Sequence, residues 1–103
     1  MVPVTITVTE VPERERFEAR DENGTLAGVL TYQKTGDIVV FTHTKVDEAF
    51  EGKGVGSELA RTALNEAKAR SQTIVPMCPF VAKWLDKHPE YEKLVARSTR
   101  RVK

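Results

Sequence analysis

Hydrophobic and polar positions alternate with a period of two through the first half of this chain, and after residue 54 they recur with a period near four. Residues 16–21 alternate, Asn23-Gly24 predicts a two-residue hairpin turn, and residues 25–33 resume with β-branched and aromatic side chains. Lys34-Thr35-Gly36-Asp37 reads as a second turn, and residues 38–46 form the strongest strand pattern in the sequence. Three strands in antiparallel succession follow. Upstream, residues 5–9 also alternate, but Pro12 and its charged neighbours leave open whether this segment joins the sheet.

Beyond the period change, Val55, Leu59, Ala63 and Ala67, with Ala60 and Leu64 beside them, mark one stripe of a helix over about residues 55–70. That stripe is expected to cover one face of the sheet. Residues 71–78 read as a short strand reached by a helical crossover, hence parallel to the strand before the helix, and Pro79 stops it. Phe80, Val81, Trp84 and Leu85 predict a short amphipathic helix, and Pro89 opens a last one carrying Tyr91, Leu94 and Val95. Residues 97–103 are basic and nearly without apolar positions, which predicts a solvated, mobile tail.

At 103 residues the chain has the size of a single domain. Its net charge of +1 comes from basic and acidic residues that are interleaved, which argues against a nucleic-acid partner. The N-terminus shows neither a secretory signal pattern nor a membrane span, so a cytoplasmic setting is expected. Cys78 is the one cysteine, which rules out an intramolecular disulfide and a zinc site built on paired cysteines. With His43 and His88 as the only histidines, no metal site is expected.

The richest stretch is residues 46–59, where the strong strand breaks into Gly52, Gly54 and Gly56 and then opens the helix. The first turn of a helix has backbone N–H groups with no partner and the positive end of the dipole, and glycines let an anion come close. A phosphate is the natural guest. The bland alternative is a tight turn whose glycines serve only positive φ.

The order of these elements resembles the core of the GNAT-type N-acetyltransferases, and more narrowly a family of very small single-domain members that lack the usual N-terminal helices. The matching pieces are Arg16-Phe17-Glu18, Leu30-Thr31-Tyr32, His43-Thr44-Lys45-Val46, Gly52-Lys53-Gly54-Val55-Gly56-Ser57, Val75-Pro76-Met77-Cys78-Pro79-Phe80 and Lys87-His88-Pro89-Glu90-Tyr91. The resemblance implies an α/β fold: a mixed, mostly antiparallel sheet with a crossover helix after the glycine-rich loop and short C-terminal helices. It implies acetyl-CoA as co-substrate, with the diphosphate on Gly52, Lys53, Gly54, Val55, Gly56 and Ser57. The pantetheine arm would lie beside the backbone of Thr44, Lys45 and Val46 in the manner of an added strand, with Phe80 walling the channel. The superfamily's loop usually begins with Gln or Arg; here Glu51 stands in that position and is expected to turn to solvent.

Two side chains are candidates for chemistry. His43, placed by strict alternation on the face of Phe41 and Lys45, suits removal of a proton from an ammonium group. Cys78, at the end of the other splayed strand, could take the acetyl group transiently. Each also has a structural reading, as a hydrogen-bonded strand histidine and as a small buried residue. Trp84 and Tyr32 read as core and sheet residues, and His88 as a helix-start residue. The function implied is transfer of an acetyl group to a primary amine. The alternative is a non-catalytic CoA-binding module that acts through a protein partner.

Overall fold

Alternation in the strands places Phe17, Ala19, Leu30, Tyr32, Val39 and Phe41 on one face of a sheet, and all six are buried. The computed structural model describes residues 5–95, so the basic segment 97–103 lies outside the described residues. The strands are β1 (Thr7–Val11), β2 (Arg16–Arg20), β3 (Leu26–Thr35), β4 (Ile38–Val46) and β5 (Thr73–Pro76). Helix α1 spans Val55–Ala69 and helix α2 Pro79–Lys87, with single 3-10 turns at Pro12–Arg14 and Glu48–Phe50 and a longer 3-10 helix at Pro89–Leu94. The sheet order is β1-β2-β3-β4-β5, antiparallel throughout except for the parallel β4–β5 pair that the α1 crossover joins. Among the described residues no helix is long and apolar enough to cross a membrane.

Several boundaries differ from the sequence reading for local reasons. The first strand does join the sheet, because Pro12 falls after it, in the 3-10 turn that leads to Glu15 at φ 51° and then β2. The reversal around Asn23-Gly24 is a five-residue loop, residues 21–25, and not a two-residue hairpin turn. The carboxylate of Asp21 accepts from the amides of Asn23 and Thr25, each at 2.9 Å, and this closes a wider turn. The final segment, Pro89–Leu94, is a 3-10 helix ending at a single parallel bridge from Val95 to Ile74.

Helix α1 lays its predicted stripe on the inner face: Val55, Leu59, Ala60, Ala63, Leu64 and Ala67 are all buried. At about 25 cal/mol per Å² of apolar surface, such burial is the main favourable term in a domain of this size. The helix packs tightly over Gly28, where a Cβ would lie 3.1 Å from Val55 Cγ1 and 2.9 Å from the Lys45 carbonyl oxygen of β4. Gly28 is in β3, opposite Val46 in β4, so this approach sets the start of α1 against the end of β4.

The other face carries Arg16, Thr31 and Val29 with the exposed Thr42, His43 and Lys45. Glu18 is on that side at 7% exposure, held by Arg16 at 2.6 Å and Arg20 at 2.9 Å. The Arg16 guanidinium, working against burial and with help from Arg20, keeps the Glu18 carboxyl below its ordinary range. A second polar cluster ties the far end of α1 to the sheet: Glu10 accepts from the Tyr32 hydroxyl, from Arg70 at 2.8 Å and from Lys34 at 3.1 Å. Burial raises Glu10, but these three hydrogen bonds together outweigh it and leave the carboxyl lowered.

Two outcomes follow from this packing. Gly28→Ala forces a methyl group against the backbone of β4 and is expected to cost about 1–3 kcal/mol in chemical denaturation. Because Glu18 is lowered in the folded state, its stabilisation is present above the ordinary carboxylate range and is lost as pH falls through its folded value. Glu18→Gln should therefore lose on the order of 1–3 kcal/mol at pH 7 and flatten the decline of stability between about pH 5 and pH 3, while unfolding curves of equal slope in both proteins would refute this assignment.

Candidate functional site

The glycine-rich junction folds as the sequence pattern suggests. Asp47 caps the 3-10 turn by accepting from Ala49 N–H at 2.9 Å, and Gly52 and Gly54 then take φ of 82° and 78° to swing the chain into α1. The first intrahelical bond runs from Glu58 N–H to the Gly54 carbonyl, so the amides of Val55, Gly56 and Ser57 are left without partners among the described residues. They open on a groove of about 300 Å³ bordered by Val46, Phe50, the glycine loop, Ser57 and Phe80. Glu51 is exposed at the rim, and Lys53 is exposed beside it.

Phe80 forms one wall and sits directly over Gly56, where a Cβ would be 2.7 Å from the ring edge. Gly56 is therefore required for the close fit of α2 on α1 as well as for access to its own amide. Ser57 is fixed by a residue that the sequence reading left in the core. Trp84 Nε1–H donates to Ser57 Oγ at 2.9 Å, which occupies an acceptor site and leaves the serine hydrogen free to donate. Trp84 is only 5% exposed, and a buried indole needs such an acceptor, so a tryptophan in an apolar stripe signals that an acceptor is near but not which one.

Beyond the loop, β4 and β5 part. Their pairing ends at Phe41 and Pro76, with one further backbone bond from Cys78 N–H to the Phe41 carbonyl at 2.9 Å. Pro76 has no N–H to extend the ladder, and Pro79 turns the chain into α2. The β4 backbone from Thr44 to Val46 thus pairs with β3 on one side and, among the described residues, has no strand on the other. Across the parting, Thr44 Oγ1 meets Cys78 Sγ at 3.0 Å. Cys78 is 2% exposed and serves as the residue preceding α2.

His43 does not join that pair. A bulge inserts Thr42 between the Thr31–His43 and Tyr32–Phe41 partners, so Thr44 shares the helix-covered face with Phe41 and Leu30, while His43 points to the exposed face with Thr31. The expectation that His43 and Phe41 share a face is corrected by this extra residue; Lys45, opposite Val29, does share the face of His43. The glycine loop, Val46, Ser57 and Phe80 are brought together at one groove, and Thr44 and Cys78 at the parting, while His43 and the Lys45 side chain lie on the other side of β4.

A family profile described as GCN5-related N-acetyl-transferase matches residues 16–94, which include all of this site. The chain belongs to that family. Among curated proteins, mouse Protein NATD1 is 28% identical over 85 residues, covering 82% of this chain and 77% of that protein. Among solved structures, the solution structure of a GCN5-like protein from Staphylococcus aureus superposes with a TM-score of 0.65 at 24% identity, covering 93% of this chain and 91% of the other. The ribosomal-protein-alanine N-acetyltransferase of Brucella melitensis superposes with a TM-score of 0.60 at 17% identity and covers 92% of each chain. Both structures share the fold of this GCN5-related domain. The family as a whole uses acetyl-CoA.

The Trp84–Ser57 bond is open to a double-mutant cycle. Trp84→Phe keeps the ring and removes the donor, Ser57→Ala removes the acceptor, and the two changes should couple by about 1 kcal/mol in denaturant unfolding. Strict additivity would mean that the bond contributes nothing to holding the serine in place.

Proposed function

We propose that this chain binds acetyl-CoA along the groove and the parted edge of β4, and transfers the acetyl group to a primary amine by direct attack. The observation that carries the reading is the run of unpartnered amides of Val55, Gly56 and Ser57, which open on the same groove that Val46 borders at the end of the unpaired β4 edge. The residues fit the ligand: a diphosphate needs convergent N–H donors at a helix start, and Ser57 Oγ–H and Lys53 add a hydroxyl and a cation. Pantetheine amides need free backbone groups in an extended edge, which Thr44 and Val46 offer, while the backbone of Lys45 between them faces β3.

In the reaction, the amine nitrogen forms a bond to the thioester carbonyl carbon, the carbon–sulfur bond breaks, and the CoA thiolate leaves and takes a proton from solvent. The proton lost by the amine goes to His43, directly or through one water, from the exposed face of β4. Cys78 is buried against Thr44 and acts as part of the wall around the thioester, which favours direct transfer over an acetyl-cysteine. A setting in the cytoplasm, where acetyl-CoA is plentiful and a lone thiol stays reduced, agrees with this reading.

Thermal unfolding with excess acetyl-CoA tests the premise. At about 100 times Kd the ligand adds roughly 2.7 kcal/mol, a rise on the order of ten degrees for a domain this small. Gly54→Val, checked for folding by circular dichroism, should lose that rise, since a side chain at φ 78° is strained and stands at the phosphate approach. With an acceptor found by amine screening, His43→Ala should lower turnover by roughly 10²-fold or more with unchanged acetyl-CoA affinity, and Cys78→Ala should stay within about tenfold. An acetyl adduct on Cys78 in intact-mass spectra would overturn direct transfer. Binding with no turnover on any amine would favour the non-catalytic module.

A further inference from the structure

The sheet face turned away from α1 has a groove of its own, of about 290 Å³, with Arg16, Val29, Lys45 and Asp47 among its walls. Strand register lays this face out as a grid. Arg16, Thr31 and His43 stand side by side across β2, β3 and β4, and Glu18, Val29 and Lys45 form the next row. Residues two apart on a strand are separated by about 7 Å, so the groove begins one such step from His43.

The charges at this groove are of both signs and are not spent on one another. Glu18 takes Arg20 at 2.9 Å and Arg16 at 2.6 and 2.8 Å, which occupies two nitrogens of Arg16. Lys45 is exposed and has no ion-pair partner among the described residues. Asp47 is exposed as well. Its backbone N–H is fastened to the Ala27 carbonyl at 2.8 Å and its Oδ1 accepts from Ala49 N–H at 2.9 Å, while no cation among the described residues pairs with its carboxylate. Between the charges the lining is apolar, from Leu26, Ala27 and Val29.

We infer that the acceptor is a free diamino acid of the lysine type, with its α-carboxylate on Lys45, its α-ammonium on Asp47, its methylenes over Val29 and its terminal amine at His43. The inference rests on the acetyl-transfer reading above and names the acceptor for it. The head of an amino acid carries one anion and one cation on a single carbon, which complements one unpaired cation and one unpaired carboxylate at a common groove. Four methylenes hold the ε-nitrogen about 6 Å from the α-carbon at ordinary bond lengths, close to the step from Lys45 to His43. A polyamine lacks the anion, and a lysine within a protein chain has lost both head charges. In the transfer the ε-nitrogen bonds to the thioester carbon as the carbon–sulfur bond breaks. His43 takes the proton from nitrogen, and the CoA thiolate takes one from solvent. Lys45 and Asp47 are thus specificity-determining residues.

The test compares kcat/KM at saturating acetyl-CoA for four amines: free lysine, cadaverine without the carboxylate, ε-aminocaproate without the α-amine, and Nα-acetyl-lysine amide without either head charge. Free lysine is expected to exceed each of the others by about tenfold or more. Lys45→Met should erase the advantage over cadaverine, and Asp47→Asn, which keeps the capping oxygen, the advantage over ε-aminocaproate. Lys68→Met, an exposed charge control on α1, should retain both. Calorimetric titration of free lysine into protein saturated with CoA, where no transfer occurs, should show the matching loss of affinity in the two site variants, whose folding is verified by thermal unfolding. Equal kcat/KM for the four amines, or preference for the blocked lysine, overturns the inference and leaves acetyl transfer intact. Retained acetyl-CoA binding with neither lysine binding nor turnover of any amine also overturns it, and favours the non-catalytic module. Failure to bind acetyl-CoA removes that reading, and the inference with it.

Discussion

A missing side chain governs the geometry of this domain. Gly28 lies where the first turn of α1 meets the sheet, and three neighbours crowd its empty Cβ position: the Lys45 carbonyl, Val55 and Leu59. That contact locks the end of β4, the middle of the sheet and the start of the helix into one body, and the Asp47 N–H bond to the Ala27 carbonyl at 2.8 Å fastens the next residue of the chain. The amides of the helix start are then held at a fixed distance from the unpaired edge of β4. A ligand that must engage both finds them already arranged, so little ordering is charged against binding.

The two proline residues of the β5 region do comparable work at the other end of the gap. Pro76 ends the parallel ladder because it has no hydrogen to donate, and Pro79 is ready to begin α2 with its fixed φ. Between them the chain makes one more bond, to Phe41, and then leaves the sheet. The parting of the strands is therefore written into backbone chemistry and needs no strain. Pocket walls follow from it: Phe80 and Trp84 are carried by the helix that the second proline starts.

Much of this could be read from the sequence where one signal dominated. The period-two strands, the α1 stripe, the parallel crossover and the glycine junction were each written in residues whose preference agrees with their surroundings. What escaped was set by single local bonds or by insertions of one residue. Asp21 widened the Asn23-Gly24 reversal through its carboxylate, and Thr42 turned His43 to the other face by adding one residue to β4. Alternation alone cannot reveal a bulge, because nothing in a β-branched run marks the extra residue. The Trp84–Ser57 and Thr44–Cys78 contacts join residues far apart in sequence, and their pairing needed the fold.

Cys78 brings one more property. It is the only thiol in the chain and sits 2% exposed at the seam between β4 and α2. Reaction with a thiol reagent must wait until that seam breathes, so the alkylation rate measures the free energy of opening at one defined point. Most proteins need an engineered label for such a readout. Here the natural chain carries its own gauge, and a molecule seated in the parting would register as slower labelling of a single sulfur.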